Sequence, residues 1–112
     1  IVMHTYDFPT PSRTGYEIFD VIPSGRSWMF PYFIQKKIMD ADDQQKIIRN
    51  MMLRLKSTLQ KIEKDYPDNV VVVNTQGLLE ERHWLNEIHP TSQGFGMIAQ
   101  KIYFEGIIGR KI

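Results

Sequence analysis

The sequence predicts an α/β sandwich built on a parallel sheet, and three observations carry that expectation. NVVVVNT, residues 69–75, is a continuous β-branched run. It lacks the alternation of a half-solvated strand and suits a strand covered on both faces. IVMHT, residues 1–5, is a second apolar, β-prone stretch that reads as a buried strand. A long amphipathic helix separates the two, so strand and helix alternate as they do in parallel architectures.

The elements follow in order. After the first strand, Tyr6 to Trp28 contains Pro9, Pro11, Pro23, Gly15 and Gly25. These residues punctuate a long loop with room for a short turn of helix. Long loops in compact domains are commonly lids or are held by other parts of the protein. SWMFPYFIQKKIM, residues 27–39, reads as a short helix started or interrupted near Pro31, and Asp40 to Asp43 close it off. Over residues 42–66, Ile48, Met52, Leu55, Leu59, Ile62 and Tyr66 recur at spacings of three and four. Most of the lysines and arginines lie off that stripe, which predicts a long helix with one buried face. Pro67 and Asp68-Asn69 end it, and the 69–75 strand follows. Gln76 to His89 is a polar loop with one helix-like piece, LLEERHWL. Thr91 or Ser92 can cap a last helix over about 92–107, whose first turn Gly94 and Gly96 weaken.

The chain has 112 residues, the size of one small domain. A net charge of +1 gives no field that selects nucleic acid or an anionic membrane. No apolar run approaches the roughly 20 residues of a membrane-spanning helix. Cysteine is absent, which excludes disulfides, thiolate metal sites and cysteine nucleophiles. The chain opens inside a strand, so we expect the later part of a larger domain. Two apolar strands need neighbours, which either a missing N-terminal segment or a second copy in a homo-oligomer would supply.

In open α/β sheets, ligands sit beyond the carboxyl ends of the strands. Both predicted strands deliver polar residues there. IVMHT runs into Tyr6 and Asp7, and VVVVNT runs into the loop that carries Asn86 and His89. A histidine near neutral pKa can take a proton from a hydroxyl and return it to a leaving group. It needs a partner on its other ring nitrogen to fix the tautomer, and Asn86 stands three residues ahead of it. Pro90 and a helix cap behind it stiffen the loop.

The words NEIHPTSQGF, within WLNEIHPTSQGFGMIA, resemble the C-terminal block of the SGNH, or GDSL-like, hydrolases. In that superfamily a D-x-x-H motif precedes the last helix, and its histidine is the general base for a serine nucleophile. The resemblance implies a flavodoxin-like three-layer sandwich with a parallel sheet, of which only the C-terminal portion is present. His89 matches the base, and Asn86 stands where the family usually has aspartate. An asparagine keeps the tautomer-setting hydrogen bond and removes the charge that would stabilise imidazolium. IVMHTYDFPTP resembles, more loosely, the strand and loop of the family's G-x-N-D block. That likeness places Tyr6 and Asp7 as substrate-binding residues that line the site; Tyr6 stands where the family has the asparagine that donates to the oxyanion, and its hydroxyl could donate only with a looser fit. The family's G-D-S-like turn with its serine is not in this sequence. Among the serines, Ser27 in SGRSW comes nearest to such a setting, and Ser92 reads as a helix cap. The resemblance therefore implies an ester hydrolase without cofactor, of which this chain holds the base half and which does not turn over alone. The Phe8–Trp28 loop, with Tyr16, Phe19, Trp28, Phe30 and Tyr32, would shape the pocket for an acylated ester substrate.

Three rival readings come from other classes. His4, His83 and His89 with Glu80 and Glu81 could ligate a metal, but no H-E-x-x-H spacing occurs. The basic side of the long helix could touch phosphates, but interleaved acids make it a solvated face. Asn86 and the absent serine favour a non-catalytic SGNH-like scaffold or binding domain.

Overall fold

The computed structural model describes residues 1–12, 17–18, 22–23 and 27–109. Strand β1 (Val2–His4) and strand β4 (Val71–Val73) form a two-stranded parallel sheet with Val2 opposite Val71 and His4 opposite Val73. Between them come β2 (Glu17–Ile18), β3 (Ile22–Pro23), α1 (Phe30–Gln35) and α2 (Ala41–Asp65). A 3₁₀ turn (Glu81–His83), α3 (Ser92–Lys101) and a π-helix (Ile102–Ile108) complete the order. The chain is a small α/β protein with a parallel sheet. Among the described residues, no helix is long and apolar enough to cross a membrane.

Helix α2 starts at Ala41, one residue ahead of the expected 42–66 span, inside the acidic stretch that ends the preceding element. The Asp40 side chain accepts from Asp43 N at 3.0 Å, and Asp42 and Asp43 add negative charge to the first turn. Of the expected apolar stripe, Ile48 and Leu59 are buried, whereas Leu55, Ile62 and Tyr66 are exposed. The mismatch is geometric. A helix of 25 residues runs about 37 Å, and strands of three residues span only about 10 Å. The sheet covers one stretch of the helix and leaves the rest of its apolar face open.

The same narrowness corrects the reading of IVMHT as a buried strand. Ile1, Val2 and Met3 are exposed, while Val70 and Val73 are buried. Strand β4 packs against both α2 and the π-helix, whereas the main helical partner of β1 among the described residues is the π-helix. Gly106 marks the closest helix–sheet approach: a Cβ there would lie 2.8 Å from Val2 Cγ1 and 2.9 Å from Val73 Cγ2. The two edges of the sheet also differ. Val72 N, which points away from β1, donates to Glu63 Oε1 at 3.0 Å, so a side chain of α2 covers that edge.

Three further points sharpen the expectations. The described part of the long loop carries a two-residue antiparallel ladder, β2 with β3. LLEERHWL forms only the 3₁₀ turn, because Trp84 leaves it in extended conformation to bridge Pro90. The last helix widens to π geometry at Ile102, the stretch that seats Gly106 on the sheet. Of its two candidate caps, Thr91 serves, accepting from Gly94 N at 3.1 Å.

Candidate functional site

The segment from Trp84 to Pro90 is a closed loop. Trp84 bridges Pro90, Leu85 N donates to His89 O at 2.8 Å, and Thr91 N donates to His83 O at 2.8 Å. Within it, Asn86 Oδ1 accepts from Ile88 N at 3.1 Å and from His89 N at 3.0 Å. The same oxygen lies 3.0 Å from His89 Nδ1. Two backbone N–H groups can converge only on an oxygen, so the amide's orientation is fixed by the network. His89 Nδ1 must then carry the proton and donate to it. The basic lone pair falls on Nε2 of a half-buried ring, the tautomer a general base needs. The structure thus brings His89 and Asn86 together.

Tyr6 joins this loop from the end of β1. It adopts the left-handed backbone conformation, with φ of 59°. Its hydroxyl donates to Ile88 O, the carbonyl just before His89. Burial pushes the phenol pKa up, which keeps it protonated as that bond requires. A hydroxyl has one proton, so the Tyr6 hydroxyl is committed to the loop and is not a donor to an oxyanion.

Asp7 faces inward. It is buried, and its carboxylate accepts from Phe8 N at 2.7 Å and from Gly77 N and Leu79 N at 2.6 Å each. It ties the end of β1 to the loop after β4. Among the polar contacts of its side chain, all three are backbone amides of the chain itself.

Glu87 is the residue that sequence reasoning passed over. It is buried, and its carboxylate accepts four backbone N–H groups. Oε1 takes Ser12 at 2.9 Å and Phe30 at 2.7 Å, and Oε2 takes Trp28 at 2.5 Å and Met29 at 2.7 Å. Helix α1 has no side-chain cap of its own, so Glu87 supplies one from the His89 loop. Charge at this spot is stabilised by the converging dipoles of the first turn. Nothing in the local sequence marks Glu87 out, because its partners lie 57 to 75 residues away.

Two cavities flank the arrangement. One, of about 410 Å³, is lined by Thr10, Pro11, Ser12, Trp84 and Asn86 among others, and so opens beside the His89 loop. The other, of about 320 Å³, is almost wholly apolar, with Trp28, Tyr32, Phe33, Ile48 and Met51 on its walls. Trp28 and Tyr32 line this second cavity and not the one beside the His89 loop. Phe30 is not among its walls, and Tyr16 and Phe19 lie outside the described residues.

The remaining histidines serve different purposes. His83 is buried, with Nδ1 accepting from Glu80 N at 2.9 Å and Nε2 without a partner among the described residues. It closes the 3₁₀ turn in a reciprocal capping box. His4 stands at the carboxyl end of β1, its ring 5.9 Å from that of Tyr6. The described residues bring no group of three histidine or carboxylate side chains together as a metal site. No protein-family model, curated protein or solved structure matches this chain.

Proposed function

We propose that this chain carries the base half of an SGNH-type ester hydrolase, on a flavodoxin-like sandwich to which it contributes the β1–α2–β4 portion. The observation that carries the reading is the three-way convergence on Asn86 Oδ1, which holds His89 in the Nδ1–H tautomer. In the reaction, a serine hydroxyl supplied by another segment of the protein attacks the ester carbonyl. His89 Nε2 takes the hydroxyl proton as the oxygen–carbon bond forms, then delivers it to the departing alcohol. Water, deprotonated by the same nitrogen, releases the acid and restores the serine. Asn86 orients the ring throughout. It stabilises imidazolium only through its amide dipole, which predicts slower turnover than a carboxylate would give.

The resemblance of NEIHPTSQGF to the family's last block adds to the geometry. The cavity beside Trp84 and Asn86 offers room for the group being transferred. The test is covalent labelling of the intact gene product with a fluorophosphonate, which reacts with serines activated by a neighbouring base. One adduct per chain is expected by mass, with labelling lost in His89→Ala. Absence of any adduct, or equal labelling of His89→Ala, overturns the reading in favour of a non-catalytic binding domain, the role that the uncharged Asn86 side chain suits.

A further inference from the structure

His4 is absorbed neither by the sheet nor by the His89 loop, and its bonding fixes what it can do. Nδ1 accepts from Tyr6 N at 3.2 Å and lies 3.0 Å from the Thr75 hydroxyl. Thr75 is fully buried at the end of β4, and its own N–H is taken by Thr5 Oγ1 at 3.0 Å. Two strand ends therefore hold one face of the imidazole. An N–H pointed at Nδ1 requires a lone pair there, so the proton of the neutral ring sits on Nε2. Nε2 has no acceptor among the described residues. Unlike Nε2 of His83, it is not sealed in the interior.

Its place in the fold matters as much as its tautomer. The carboxyl edge of a parallel sheet is where α/β proteins bind ligands. The ring centroid lies 5.9 Å from that of Tyr6 with the planes tilted by 31°, and the Tyr6 ring in turn lies 6.1 Å from Trp84, which lines the cavity at Asn86. The Tyr6 hydroxyl proton goes to Ile88 O, so Tyr6 offers no side-chain donor to a ligand here.

We propose that His4, through Nε2–H, is the hydrogen-bond donor to an sp² oxygen of the ligand, the ester carbonyl or the carboxylate it becomes; this role rests on the hydrolase reading of His89. Burial pushes the His4 pKa down, so the ring stays neutral near pH 7 and keeps Nδ1 free to accept. A neutral N–H donates to a carbonyl oxygen without adding a positive charge to the site.

The experiment follows the ring nitrogens of the intact gene product by ¹⁵N-detected NMR during titration with sodium acetate. It then compares ester turnover in His4→Phe, His4→Gln and His89→Ala. The expected result is a saturable shift at His4 Nε2–H. His4→Phe should lose about tenfold in kcat/KM, the size of one neutral hydrogen bond. His4→Gln, which keeps an N–H at similar reach, should recover part of it. A merely structural His4 would give no acetate-dependent shift. If His89→Ala abolishes turnover while acetate leaves His4 unmoved and His4→Phe keeps its rate, the His4 proposal falls and the hydrolase reading stands. If neither substitution changes turnover and neither ring responds, both fall.

Discussion

Removing the Glu87 carboxylate should unlatch helix α1 and the Ser12 segment from the loop that carries His89. In Glu87→Ala, the N–H groups of Ser12, Trp28, Met29 and Phe30 lose their acceptor together. Hydrogen bonds to a charged group contribute roughly 1.5–3 kcal/mol each, and a stranded buried donor costs about 1–3 kcal/mol. Trp28 is exposed enough for water to replace part of that. About 1 kcal/mol per donor is therefore the fitting value, or about 4 kcal/mol in all. Small domains hold only about 5–15 kcal/mol, so the midpoint of thermal unfolding should fall by roughly 15 °C. Glu87→Gln keeps one oxygen and turns an NH₂ group toward two of the donors, so about half the loss is expected. Glu81→Gln, at an exposed neighbour, should change nothing. Amide exchange gives the local readout: protection at Trp28, Met29 and Phe30 should drop in Glu87→Ala before protection in β4 does. If Glu87→Ala melts within 2 °C of the parent, taken as about 0.5 kcal/mol, and keeps those amides protected, the latch is not holding the segment.

The two glycines of α3 should respond in opposite directions. A Cβ at Gly94 would lie 2.7 Å from His83 O and 2.9 Å from Pro90 Cβ, so Gly94→Ala should destabilise by about 1–3 kcal/mol in urea unfolding. Gly96 has nothing within 4 Å, so Gly96→Ala should stabilise by up to about 1 kcal/mol. For His4, burial holds the folded-state pKa below the ordinary 6.5. The unfolded ring therefore binds its proton first as pH falls. Stability is fully present above pH 6.5 and declines as pH drops toward the folded-state value. The urea midpoint of the parent should fall over that window more steeply than that of His4→Phe. Asn86→Asp restores charge behind His89 and should raise kcat for ester hydrolysis, whereas Asn86→Ala should lower it, both read from the pH plateau of the rate.

Much of the fold was legible because local signals agreed with tertiary demands. Asp40 marks the start of α2 by capping chemistry that operates within three residues. The Val71–Val73 strand announces itself by β-branching, and Thr91 by its place before an apolar run. The elements that differed are those decided at long range. LLEERHWL has helical composition, but the bridge from Trp84 to Pro90 ends it after one 3₁₀ turn. The exposure of Ile1, Val2 and Met3 depends on how many layers cover β1, which the strand's own residues do not encode. In the candidate site, Asn86 and His89 were readable because an acceptor three residues ahead of a histidine is a local motif. Tyr6 was readable as a polar residue at the end of β1, whereas the bond of its hydroxyl to Ile88 O, 82 residues away, was not. Asp7 and Glu87 are both carboxylates consumed by distant backbone amides, and one-dimensional patterning cannot distinguish such a clamp from a ligand-facing acid.

Hydrolysis of p-nitrophenyl acetate by the intact gene product, measured beside His89→Ala over the same pH range, tests the central claim most directly. A general base held in one tautomer by Asn86 predicts a fall of at least about a thousandfold in kcat for His89→Ala across that range. An unchanged rate in His89→Ala would contradict it and leave residues 84–91 as a loop that caps α3.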